Sequence, residues 1–247
     1  MHDVGGKRVL ITGGGSGVGA DLALGFAARG AQVVISGRRA DALGAVAARG
    51  AGITAIAADV TDEAAVADLF AQAGPVDIVI ANAGAADSAS FGKMTLAQWN
   101  AMLGVNLTGT FLTFREGLRQ APPATRLIAV ASVAGLRGYP YIAAYAAAKH
   151  GVIGLVRSLA DEVAAKGITV NAICPGYLET EMTERSIANI VEKTGKTADQ
   201  ARAVLEAGSP QRRLFAPSEV TSTALWLCSS GARGVNGQAI AISGGSP

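Results

Sequence analysis

The chain has 247 residues, half of them hydrophobic, with 50 alanines and 32 glycines; that length supplies a sizeable core without disulfide staples. Its 21 basic and 19 acidic side chains leave a formal net charge of +2, which gives no polyanion footprint, so no nucleic-acid partner is expected. No stretch reaches the roughly 18 to 20 uninterrupted apolar residues of a membrane span, and two distant cysteines with only His2 and His150 support neither a disulfide framework nor a metal site.

The chain runs from Met1 to Lys7 straight into an apolar segment, without a charged n-region and a long apolar h-region. A reducing, cytoplasmic setting is expected. Short apolar runs rich in β-branched residues follow at 9–12, 32–36, 53–57, 77–80, 126–131, 168–173 and 239–242, separated by alanine-rich segments of helical period. Seven strands alternating with helices read as parallel βαβ units. The runs are apolar throughout, so each strand is expected to be covered on both faces. The fold class is therefore α/β, a Rossmann-type doubly wound parallel sheet with helices on both faces. No Pro/Ser-rich linker divides residues 1–247, and Pro122-Pro123 only stops a helix before the fifth strand. One domain is expected. The polar, helical stretch at about 178–215 is too long for a strand-to-helix loop and reads as a substrate lid.

After the first strand comes Thr12-Gly13-Gly14-Gly15-Ser16-Gly17-Val18-Gly19, then a helix. Glycines allow positive φ and let a pyrophosphate approach the backbone, while the helix N-terminus offers unpaired N–H groups. This is a dinucleotide-binding turn. An NAD-specific sheet carries an acid at the end of the second strand for the ribose hydroxyls. Here Gly37 stands there and Arg38-Arg39 follow. A guanidinium can grip a 2′-phosphate through forked, charge-assisted bonds, which favours NADP(H) over NAD(H), although two solvated loop charges would look the same. Asp59 ends the third strand and can accept from an adenine amino group or cap the next helix. Asn82-Ala83-Gly84 closes the fourth strand, where small residues let a cofactor lie against the backbone.

Ser132 ends the fifth strand, and thirteen residues later Tyr145-Ala146-Ala147-Ala148-Lys149 opens a helix. Four residues are a little over one turn, so Tyr145 and Lys149 share a face. An ammonium beside a phenol of ordinary pKa about 10 is expected to lower it, making Tyr145 a usable proton donor and acceptor.

With these motifs in place the chain resembles the short-chain dehydrogenase/reductase family over essentially its full length. The matches are Thr12-Gly13-x-x-x-Gly17-x-Gly19, Asn82-Ala83-Gly84, Asn106, Ser132, Tyr145 with Lys149, and Pro175-Gly176 followed by Thr180. The resemblance implies a catalytic tetrad. Tyr145 is its acid or base, Ser132 bonds the substrate oxygen, Lys149 binds the nicotinamide ribose, and Asn106 supports a water relay. It further implies that the Leu178 backbone and the Thr180 hydroxyl hold the carboxamide. Asp59 and Val60 would meet the adenine, and the 82–84 backbone the adenosine ribose. Singly, Ser132 and Thr180 could be caps, Asn106 a helix-interior amide and Lys149 a surface cation.

Wall candidates for the substrate are Ala134, Tyr139, Ile142, Tyr177 and Met182, beside Leu178. Their apolar and aromatic character suits a hydrophobic ketone or a 3-oxoacyl group. Small residues on the helix at 143–166 permit close packing; family members pair it, and the helix at about 95–120, across a dimer interface. A homotetramer is expected by resemblance. The leading reading is an NADP(H)-dependent ketone reductase acting on a small molecule. The alternatives are an NAD-dependent 3-hydroxyacyl or hydroxy-acid dehydrogenase and a non-catalytic dinucleotide sensor.

Overall fold

The seven apolar runs become seven strands in the computed structural model, which describes residues 4–246: β1 Arg8–Thr12, β2 Gln32–Gly37, β3 Ile53–Ala57, β4 Ile78–Ala81, β5 Arg126–Val130, β6 Thr169–Pro175 and β7 Ala239–Ile242. All pair in parallel, in the order 3-2-1-4-5-6-7. The helices are α1 Gly17–Ala27, α2 Ala40–Ala47, α3 Glu63–Ala73, α4 Leu96–Leu103, α5 Gly109–Arg119, α6 Ala143–Val163, α7 Glu181–Thr194, α8 Ala198–Glu206 and α9 Pro217–Leu227. Among the described residues, no helix is long and apolar enough to cross a membrane.

Successive side chains on a strand point to opposite faces. Thus β1 sends Leu10 to one side with its register partner Val34, and Val9 and Ile11 to the other with Val33 and Ile35. The first face meets α3, α5 and α6 through Phe70, Phe114, Val152 and Val156. The second meets α1, α2 and α9 through Phe26, Leu43, Val220 and Leu225. Each such buried side chain contributes on the order of 2 kcal/mol.

Coverage on both faces fails at the sheet edges. Thr54, Ala55 and Ala57 of β3 and Ala241 of β7 are exposed, because an edge strand has one neighbour only and alanine covers little area. The helix expected at about 95–120 is two helices, α4 and α5, joined by a π-helical turn at Gly104–Thr108. Between β6 and α9, α7 and α8 share a small core of Ile187, Ala201, Leu205 and Leu214. At the base of this segment Tyr177 C=O accepts the Phe215 N–H and Phe215 C=O the Glu179 N–H, both at 2.9 Å.

Candidate active site

The helices that follow β1 and β4 pack on opposite faces of the sheet, so a crevice opens between the carboxyl ends of these neighbouring strands. The glycine loop lines it. Gly13 takes φ +70°, and a Cβ on Gly19 would collide with the Gly13 carbonyl. Gly15, Ser16, Gly17 and Val18 complete the turn into α1. That helix has no acidic residue in its first turn and no side-chain cap from Ser16, which leaves its first N–H groups for an anion. The Thr12 hydroxyl accepts the N–H groups of Asn82 and Ala83, both at 3.1 Å. In return the Asn82 amide donates to the carbonyls of Thr12 (2.9 Å) and Gly13 (3.2 Å). Asn82 staples the loop to β4 by its side chain, a duty its motif did not reveal.

At the β2 and β3 end, Asp59 accepts the Thr61 N–H (2.9 Å) and hydroxyl (2.8 Å). The Thr61 backbone N–H, its hydroxyl and the charge of Arg38 hold this carboxyl below the usual range, against the opposing effect of burial. The capping role left open for Asp59 belongs to Asp62, whose carboxylate accepts the N–H groups of Ala64 (2.9 Å) and Ala65 (3.2 Å). An Asx-type turn three residues earlier carries the same residue type, which is why the sequence could not separate them. Val60 is buried against Gly109. Arg38 and Arg39 are exposed, and neither enters an ion pair among the described residues.

Ser132 lies just beyond β5. Its hydroxyl accepts the Ala134 N–H at 3.1 Å, capping a 3-10 turn, and its own O–H faces the Tyr145 phenol as a hydrogen-bonding neighbour. Tyr145 and Lys149 rise from the first two turns of α6. Lys149 is buried, donates from Nζ to the Val130 carbonyl at 2.9 Å, and lies 5.6 Å from the Tyr145 ring centroid. Burial lowers its pKa from 10.5 to about 8, with Cys174 opposing. The expected lowering of Tyr145 by Lys149 is absent: burial raises the phenol, with Ser132 as the hydrogen-bonding neighbour that opposes the rise. The reason is physical. The ammonium lies over the ring, spends a hydrogen on Val130 and is itself disfavoured by burial.

Asn106 occupies the π-helical turn, a bulge common at functional sites. Its Nδ2 donates to Ala85 O (2.9 Å) and Met102 O (3.0 Å), and Thr110 Oγ1 donates to its carbonyl at 2.8 Å. Its Oδ1 is buried without a partner. A Cβ on Gly84 would stand 2.8 Å from that oxygen and 3.7 Å from Lys149 Nζ, so Asn106 and Lys149 both approach Gly84 on the face where a side chain would stand. A buried orphan acceptor costs about 1–3 kcal/mol unless water or ligand serves it, which suits a relay position.

Pro175 ends β6, and the Gly176 N–H donates to Ile242 O at 2.9 Å. The bridge at Phe215 uses the groups of Tyr177 and Glu179, leaving the N–H and C=O of Leu178 directed away from it. Thr180 begins α7 without a side-chain cap bond, and its methyl lies beside Gly17. Among the wall candidates, Tyr139 and Tyr177 share a cavity, while Tyr177 lies close enough to Tyr145 to raise its pKa further. Arg137 donates to the Tyr139 hydroxyl at 2.8 Å and stacks on the ring. Ala134 is buried, Ile142 precedes α6, and Met182 is exposed on the first turn of α7. Sequence reasoning missed Tyr141, which has φ +69° and accepts the Ala89 N–H at 2.8 Å, tying the β4–α4 loop to the start of α6. No local residue pattern signals it.

A family profile described as enoyl-(acyl carrier protein) reductase matches residues 13–246. The chain belongs to the short-chain dehydrogenase/reductase family. It is 34% identical to a D-beta-hydroxybutyrate dehydrogenase of Rhizobium meliloti (strain 1021), over 97% of this chain and 98% of that one. It is 35% identical to an acetoacetyl-CoA reductase of Shinella zoogloeoides, over 97% and 98%. A crystal structure of an actinorhodin polyketide ketoreductase variant with NADPH superimposes with a TM-score of 0.91 at 30% identity, covering 99% of this chain and 98% of that one. This family member is an NAD(P)-dependent oxidoreductase acting on CH–OH and ketone groups. The glycine cradle, the uncapped α1 N-terminus and the small residues at 82–84 fit a nicotinamide dinucleotide.

Proposed function

We propose that the protein is an NADP(H)-dependent reductase of an uncharged hydrophobic ketone or 3-oxoacyl group. The observation that carries this reading is one proton donor, Tyr145, beside the Ser132 hydroxyl, at a cleft whose candidate walls Ala134, Tyr139, Ile142, Tyr177 and Met182 hold no charge. The bound dinucleotide supplies the hydride. Ser132 donates a hydrogen bond to the carbonyl oxygen and orients it. Tyr145, kept protonated by burial, transfers its phenolic proton to that oxygen as negative charge grows there. In this reading Lys149 and the orphan Oδ1 of Asn106, both beside Gly84, hold the ribose and return a proton through water. The backbone of Leu178, unused by the Phe215 bridge, and the uncommitted hydroxyl of Thr180 support a role for both toward the carboxamide.

Gly37 in place of an acid, with Arg38 unpaired and near Asp59, supports NADP(H). The NADPH-bound ketoreductase and the acetoacetyl-CoA reductase are relatives consistent with it. The D-beta-hydroxybutyrate relative favours a second reading, an NAD-dependent hydroxy-acid dehydrogenase. A carboxylate substrate calls for a cation on the cleft wall, and Arg137 is committed to Tyr139. The lid at 178–215 and a cytoplasmic homotetramer belong to the same proposal. Two free cysteines, an exposed Phe111 on α5 and the open surface at Gly154 of α6 support it.

The test is a screen by nicotinamide absorbance with NADPH and NADH against methyl ketones, 3-oxoacyl thioesters, acetoacetate and 3-hydroxybutyrate. The reading expects neutral ketones or thioesters to be preferred, with NADPH favoured about tenfold or more. Preference for NADH with acetoacetate would overturn it.

A further inference from the structure

We propose that a groove on the outer part of the sheet, at the amino ends of β1 and β2 and beside β3, binds a small monocarboxylate with a short hydrocarbon body. The topology opens it. Helix α3 leaves the edge strand β3 and must return to β4, beyond β2 and β1. Its Phe70 joins Leu10 and Val79 in the core, and the outer face stays bare, with Thr54 exposed and Ile56 half-buried. The groove measures about 200 Å³ and is lined by Arg8, Gln32, Val34, Thr54, Ile56 and Gln72. Register brings these side chains to one face: Arg8 pairs with Gln32 and Val34 with Thr54, two residues apart along each strand from the next member. Gln32 and Gly37, at the two ends of β2, are about 17 Å apart, so the groove does not overlap the dinucleotide crevice.

One uncommitted cation sets the chemistry. Arg8 donates from Nη1 to the Ala73 carbonyl at 3.0 Å, which anchors its guanidinium at the end of α3. Nε and Nη2 have no partner among the described residues. No carboxylate pairs with them: Asp77 accepts the Arg8 backbone N–H at 2.9 Å and Lys7 Nζ at 3.1 Å, and no acidic side chain lines the groove. The planar Nε and Nη2 edge takes two oxygens side by side, and a single cation balances a single negative charge, so a carboxylate fits better than a phosphate. Val34 and Ile56 offer hydrocarbon beside it, and the exposed Gln32, Thr54 and Gln72 side chains are without hydrogen-bond partners among the described residues. A water-sized group needs about 10–15 Å³, so a molecule of roughly a dozen heavy atoms fits. The guanidinium is already held in place, which reduces the ordering cost of binding.

The test is a saturation-transfer NMR titration of hexanoate, with 1-hexanol as the uncharged comparison, against the NADPH-bound wild type, Arg8→Gln and Thr54→Phe. The first substitution removes the cation, and the second fills the groove while leaving Arg8 in place. Wild type binds hexanoate with a Kd on the order of 1 mM, about tenfold or more tighter than 1-hexanol. Each substitution weakens hexanoate about tenfold or more and leaves NADPH affinity within about twofold of wild type. Absence of hexanoate binding, or equal affinity for hexanoate and 1-hexanol, overturns the proposal. Equal hexanoate affinity in the wild type and both variants puts the ligand elsewhere, the substrate cleft included, and overturns it too. If Arg8→Gln does not fold, Thr54→Phe and the 1-hexanol comparison decide the matter.

Discussion

Replacing Lys149 by methionine removes an ammonium whose charged form burial disfavours. The fall from 10.5 to about 8 corresponds to about 3 kcal/mol between the charged and neutral forms. Against it stands the lost bond from Nζ to the Val130 carbonyl, about 1.5–3 kcal/mol for a charged donor. The balance is a gain of about 1 kcal/mol for Lys149→Met at pH 7, or about 2–4 °C in Tm for a chain of this size. The sign with pH follows from the depressed pKa of a cation. Below about pH 8 both folded and unfolded chains hold the proton, and the folded chain bears the full penalty. Between about 8 and 10.5 the unfolded chain keeps a proton that the folded one has released, so wild-type stability gains from this group as pH rises. Melting curves of the cofactor-free proteins by circular dichroism at pH 7 and pH 10 test this. The variant melts higher at pH 7, and the advantage disappears by pH 10, while its ketone reductase activity falls about 100-fold or more. A variant that melts several degrees lower at pH 7, with the same gap at pH 10, refutes the reasoning.

Arg38→Ala lowers kcat/KM with NADPH about tenfold or more and leaves NADH within about threefold, because one charge-assisted contact to the 2′-phosphate is lost; steady-state kinetics with both cofactors read it. Gly19→Ala drives a methyl group into the Gly13 carbonyl and to 2.7 Å from Asn82 Nδ2. It costs about 1–3 kcal/mol of stability and weakens NADPH binding about tenfold or more, by thermal melts and fluorescence titration. Ala124→Gly relieves a left-handed residue at φ +65° in an exposed loop. It raises Tm by about 2–4 °C without changing kcat.

Much of this was legible because the signals were redundant. All seven strands fall within two residues of the apolar runs, since β-branched residues and glycine punctuation mark both ends of a buried parallel strand. The glycine loop and the Tyr145–Lys149 spacing encode local geometry and land where expected, at the carboxyl edge of the sheet. What stayed hidden depends on single residues or on tertiary contact. One extra residue in a helix makes the π turn that seats Asn106, and a 3.6-residue period does not resolve it. Tyr141 takes a left-handed φ alongside its bond with Ala89, a contact fifty-two residues away in sequence. The direction of the Tyr145 shift turns on where Lys149 spends its hydrogens and how deeply both groups are buried, which spacing on a helix face does not fix.

The proposed role of Tyr145 as proton donor is tested by Tyr145→Phe. The substitution removes one oxygen and keeps the ring, so fold and NADPH affinity are retained. The expected result is that kcat for ketone reduction falls about 10²–10⁴-fold with NADPH binding within about threefold of wild type. Retention of full reductase activity by Tyr145→Phe would contradict it.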